Sequence, residues 1–202
     1  MRAQFINESH LRDINQDEIL NRKFISRLFN NNYQYELYVE GFKNRFDITD
    51  LSDDEIIKLP KFKNWLDYVL SGKLEEIYYT LEEQIDTNGK IKIYRQLLVD
   101  ENWISKLEKA KHLGIYWSFD KDAAEPHWGY NDSNKKVNVM IESSIDENYV
   151  DWNATLRLNI ETEDEKEIRL FKNTPIKIDK IYVNDEEISN KFEFLKHKIY
   201  LT

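Results

Sequence analysis

The hydrophobic pattern of this 202-residue chain changes period once, near Asp86-Thr87-Asn88-Gly89, and that change limits the architectures open to it. Upstream, apolar residues recur at helical spacing: Leu11, Ile14, Ile19, Phe24, Ile25, Leu28 and Phe29 form one stripe. Ser52-Asp53-Asp54-Glu55 has the spacing of a capping box, so a helix is expected to start after Ser52. Pro60 should interrupt it, with Phe62, Trp65, Leu66, Val69 and Leu70 on one face of the next segment. Ser71-Gly72 reads as a stop, after which Leu74, Ile77, Tyr78, Leu81 and Ile85 mark a further helix. Downstream of Gly89 the period falls to two, and strands are expected over 90–98, 113–119, 136–145, 154–160, 165–171, 176–183 and 197–201. Short helices are expected at 101–110, capped by Asp100, and at 121–127, capped by Asp120. The pattern predicts an α+β protein, helical over 1–88 and strand-rich over 89–202.

In Lys90-Ile91-Lys92-Ile93-Tyr94-Arg95-Gln96-Leu97, Ile91, Ile93, Arg95 and Leu97 share a face, so a guanidinium stands where an apolar side chain is expected. From Lys90 onward the chain has three arginines, Arg95, Arg157 and Arg169, against fifteen lysines. An inward arginine is costly unless it is paired or an anionic ligand completes it, which points to a phosphate- or carboxylate-binding cleft. A salt bridge to a local carboxylate is the plainer account.

A second element is His112-Leu113-Gly114-Ile115-Tyr116-Trp117-Ser118-Phe119-Asp120, a strand leaving a glycine and ending in a hydroxyl. A serine at a strand end can simply satisfy backbone groups. The third is Glu165-Lys166-Glu167-Ile168-Arg169-Leu170, where Ile168 and Leu170 point to the core and Glu165 and Glu167 to the opposite face, about 7 Å apart. The surrounding tract from Glu142 to Glu167 holds nine carboxylates against Arg157 and Lys166, and most of it is expected to be solvated loop and strand edge.

Composition removes several alternatives. Without cysteine there are no disulfides, thiol nucleophiles or thiolate metal sites, which suits a cytoplasmic protein. Four scattered histidines make no metal-ligand spacing, and His127 is better read as a surface or core residue. A Gly-rich phosphate loop is absent, so a Rossmann turn is not expected. Neither a membrane span nor a secretory signal is expected. The formal charge of −9 disfavours broad nucleic-acid binding.

Taken in order, an arginine on a first strand, a Gly-x-x-Trp-Ser strand end and a Glu-x-Glu entering a strand resemble the ADP-ribosyltransferase family of the arginine–serine–glutamate type. The resemblance covers about 90 to 183. It implies a split β-sandwich core that holds NAD in a cleft between two small sheets, after an N-terminal helical region. Arg95 would grip the NAD phosphates and Ser118 would orient the catalytic glutamate. Glu167 would hold the nicotinamide ribose and stabilise its developing positive charge, and Glu165 would serve the acceptor. The family often shows Ser-Thr-Ser where this chain has Trp117-Ser118-Phe119, so one hydroxyl remains. Tyr116, Trp117, Trp128 and Tyr130 are candidates to stack on the cofactor. The implied activity is mono-ADP-ribosyl transfer from NAD to a macromolecular acceptor, a protein side chain in preference to RNA or DNA. It fits a bacterial or phage toxin or effector, for which an antitoxin partner is conceivable. An NAD glycohydrolase and a non-enzymatic β-rich interaction module are the alternatives.

Overall fold

The computed structural model describes residues 10–21, 32–99, 113–124, 137–161, 166–187 and 199–200. A 3-10 turn at His10–Asp13 and a short helix α1 (Gln16–Ile19) begin it. Helices α2 (Asn32–Phe46), α3 (Asp53–Lys58) and α4 (Pro60–Gln84) follow. The expected cap of α3 is present: the Glu55 carboxylate accepts from the Ser52 N–H at 2.9 Å and from its hydroxyl at 2.6 Å. Pro60 occupies the first turn of α4, where its missing N–H costs nothing, so Leu59 is a sharp boundary between two helices.

Ser71-Gly72 does not stop the helix, contrary to expectation. Phe62, Leu66, Leu70, Leu74 and Leu81 bury one uninterrupted stripe of α4. Burying each Leu contributes about 1.5–3 kcal/mol, against about 1 kcal/mol for a glycine inside a helix. The Ser71 hydroxyl bonds back to the Asp67 carbonyl at 2.8 Å. Phe42 of α2 meets Phe62 edge-on, ring centroids 5.1 Å apart, and joins α2 to α4.

The turn at 86–89 forms as its residues demand. The Asp86 carboxylate accepts from the N–H groups of Asn88 and Lys90, at 2.8 and 2.9 Å, and Gly89 takes a φ of 69°. Strand β1 (Lys90–Val99) then leads into a sheet with β2 (Tyr116–Ser118), β3 (Val137–Asp146), β4 (Glu167–Arg169), β6 (Ile178–Val183) and β7 (Glu186–Glu187). The sheet order is β4-β2-β1-β3-β6-β7, and each neighbouring pair runs antiparallel. A second, two-stranded sheet pairs β5 (Pro175–Ile176) with β8 (Ile199–Tyr200). The expected strand over 176–183 is therefore split, its two parts serving different sheets. The Ser143 hydroxyl bonds to the Lys177 carbonyl at 2.6 Å where they separate.

Residues 154–160 are not a strand. They belong to α5 (Trp152–Glu161), which buries Trp152, Thr155, Leu156, Asn159 and Ile160. Leu156, Leu158 and Ile160 also alternate, so period two and period 3.6 both fit this short run. Asp151 decides it: its carboxylate accepts from the Ala154 N–H at 3.2 Å and opens the helix. Over 121–124 the expected helix is only a turn, although Asp120 accepts from the N–H groups of Asp122 and Ala123 as a cap would. The expected helix at 101–110 and the stripe from Phe24 to Phe29 lie outside the described residues. One hydrophobic cluster runs from Leu11 and the α2–α4 face through Ile91, Ile93 and Ile141 to Ile168 and Ile181. The helical region and the sheet thus share a core.

Candidate functional site

The strands bearing the arginine, serine and glutamate are immediate neighbours, in the order β4-β2-β1. Ser118 stands directly opposite Glu167 across the β2–β4 ladder, and Tyr94 stands opposite Ser118 on β1. Ile168 and Leu170 are buried, as the alternation requires, and Glu167 is half-buried.

Strands β1 and β2 share a single register pair, Tyr94↔Ser118. Just beyond it the Arg95 guanidinium lodges against β2: Nη1 donates to the Tyr116 carbonyl, and Nε is buried without a hydrogen-bond partner. Gly114, at φ 80°, makes room for it. A Cβ there would lie 2.7–2.9 Å from the Arg95 guanidinium atoms. Burial pulls the Arg95 guanidinium below its ordinary pKa, and the negative charge of Glu167 opposes that shift. Arginine and glutamate are therefore electrostatically coupled. The Glu167 charge also keeps the plainer account of Arg95, pairing with a local carboxylate, open beside that of an anion site.

Ser118 is buried and braces the strand ends. Its single hydroxyl proton is shared between the carbonyls of Asp120 and Lys166, at 2.8 and 3.1 Å, and its oxygen accepts from the Asp120 N–H at 3.1 Å. The Lys166 carbonyl also accepts from the Phe119 N–H at 3.0 Å, and the Lys166 amine meets the Asp120 carboxylate at 2.5 Å. That hydrogen bond, with help from the turn N–H groups, holds Asp120 below its usual pKa. Ser118 thus anchors Lys166, the residue just before β4 begins at Glu167.

Tyr116 is 44% exposed beside this site. Trp117 is a correction: it is 3% exposed, its indole N–H donates to the Gly114 carbonyl at 3.1 Å, and it packs the core instead of presenting a ring to a cofactor. Glu165, His127, Trp128 and Tyr130 lie outside the described residues.

Several polar residues were not read from the pattern. Glu142 continues the row Glu167–Ser118–Tyr94 onto β3 and is only 6% exposed, so the acidic tract is not simply solvated. It accepts from the Tyr182 hydroxyl at 2.9 Å and lies 3.7 Å from the Lys92 amine. Desolvation pushes the phenols of Tyr94 and Tyr182 up, aided by the Glu142 charge at Tyr94 and by the hydrogen bond to Glu142 at Tyr182. The signal of Glu142 was a lone carboxylate in mid-strand, directly after Val139-Met140-Ile141 and before Ser143-Ser144-Ile145. Thr155 and Asn159 were hidden by the strand reading of 154–160.

An open cleft of about 290 Å³ is lined by Lys73, Glu76 and Thr80 of α4, Asn159 of α5, Phe119 and Lys166. Burial lowers the Lys73 amine pKa. Among the described residues no group of three or more His, Asp or Glu side chains could hold a metal ion, and no helix is long and apolar enough to cross a membrane. Comparison with protein-family models, curated proteins and solved structures found no match.

Proposed function

We propose that the chain is a mono-ADP-ribosyltransferase that cleaves NAD and passes ADP-ribose to a macromolecular acceptor. One observation carries the reading: Arg95, Ser118 and Glu167, far apart in sequence, fall on three adjacent strands, with Glu167 opposite Ser118 on the Tyr94 face and Arg95 on the other face of β1, within range of the Glu167 charge. The split β-sandwich implied by the resemblance belongs to this proposal. The six-stranded sheet supplies the three strands side by side.

In this reading the Arg95 fork binds the diphosphate, since paired N–H donors match phosphate oxygens as a lysine cannot. Glu167 faces the nicotinamide ribose. The bond from the anomeric carbon to the pyridinium nitrogen breaks, nicotinamide leaves with the electron pair, and positive charge gathers on the sugar. A fixed carboxylate stabilises that charge where it develops. The acceptor then attacks the anomeric carbon and gives up a proton, for which the resemblance assigns Glu165. Ser118 acts here through the backbone, holding the start of β4.

Labelled NAD added to a cell lysate tests the proposal. Wild type should release nicotinamide and label a protein. Glu167→Gln, with an unchanged unfolding midpoint, should lose on the order of 100-fold in rate or more. Equal rates for the two would refute the assignment. Rapid release with NAD alone would indicate water as acceptor, and no release from wild type would leave a binding module.

A further inference from the structure

β4 is the outermost strand on its side of the six-stranded sheet, so its outward backbone groups face no partner strand. Helix α5 takes two of them, and the segment just before it, which forms a lone β-bridge between Val150 and Leu170, takes a third. The Asn159 side-chain amide donates to the Glu167 carbonyl at 2.6 Å. The Thr155 hydroxyl oxygen accepts from the Arg169 N–H at 3.0 Å, and the Asp151 N–H donates to the Arg169 carbonyl at 2.8 Å. The same Asn159 amide donates to the Thr155 carbonyl at 2.8 Å, which ties the two clamping residues together.

Thr155 and Asn159 are 0% and 4% exposed on a helix face that otherwise carries Trp152, Leu156 and Ile160. Leucine or valine would bury there without any polar cost, whereas a buried amide or hydroxyl is unfavourable unless bonded. The placement therefore serves the strand and not the packing. We propose that Asn159 and Thr155 are positioning residues for Glu167: α5 replaces a missing neighbour strand, fixing the height and direction of β4 and so the placement of the Glu167 carboxylate. A strand of three residues with one free side would otherwise pivot about β2. The proposal rests on Glu167 being the reacting carboxylate, but the clamp also has a readout of its own.

The full chain should be prepared as Thr155→Val, Thr155→Ser, Asn159→Leu and Asn159→Gln. Amide hydrogen exchange is read at Arg169 and across the core, together with the unfolding midpoint and NAD cleavage kinetics. Losing the Thr155 acceptor should speed exchange at the Arg169 amide about tenfold over any change in the core, and Thr155→Ser should restore protection. Asn159→Leu should lower kcat for nicotinamide release about tenfold with KM for NAD within about twofold, and Asn159→Gln should recover part of it. Unchanged Arg169 exchange in Thr155→Val overturns the clamp. A kcat that falls only with the folded fraction overturns its link to Glu167. A wild type that releases no nicotinamide overturns the catalytic reading of Glu167, with the exchange data still judging the clamp.

Discussion

Arg95 and Gly114 form one unit: the glycine has the backbone and the empty space that let a guanidinium lie against β2. Gly114→Ala should cost about 1–2 kcal/mol in the left-handed backbone alone, measured by denaturant titration. It should also raise KM for NAD, because the new methyl displaces the guanidinium. Arg95→Lys keeps the charge and loses the fork, so its KM should rise without the stability loss of Gly114→Ala. Asp120 gives a pH test. Its folded pKa lies below the unfolded value of about 3.9, so its contribution is present above that value and is lost as pH falls through the folded pKa. Acid titration of stability should accordingly show a flatter profile below about pH 4 in Asp120→Asn than in wild type. The inward place of Arg95 was legible because strand alternation is a strict geometric rule. Ser118's bonds to the Asp120 and Lys166 carbonyls were not, because they depend on how two separate strand ends meet.

Elements were legible where one period dominated. The turn at 86–89, the start of α3, the boundary at Pro60 and strands β1 and β3 followed from residue chemistry close at hand. Two of the failed readings share a physical root: a short-range pattern was read without the contacts that decide it. Ser71-Gly72 carries a break signal, yet Leu70 and Leu74 bury on either side of it. At α5 both periods fitted, and the helix was selected by the Asp151 cap and by what Thr155 and Asn159 bond on β4. The Gly72 position yields a simple test. A Cβ there meets nothing within 4 Å, so Gly72→Ala should stabilise the protein by about 1 kcal/mol, read as a shift in the denaturant midpoint at constant m-value.

For the whole molecule, a shared hydrophobic cluster argues for one cooperative unit spanning the helical and sheet halves. Leu74 of α4 is buried in that cluster, so Leu74→Ala should cost about 2–5 kcal/mol. Far-ultraviolet circular dichroism, dominated by helices, and fluorescence of the buried Trp117 and Trp152 should report the same midpoint; separated midpoints would mean two independent units. The sheet's two margins have a consequence for how the protein behaves in a crowded solution. On one margin, the backbone of β4 is already occupied by Asp151, Thr155 and Asn159; on the other, β7 presents the exposed Glu186 and Glu187. Among the described residues, bonded groups on one side and like charges on the other disfavour stacking of a second molecule onto the sheet. On the proposed reading, Glu167 would then lie near a rim that a large target can approach without the rim seeding polymers.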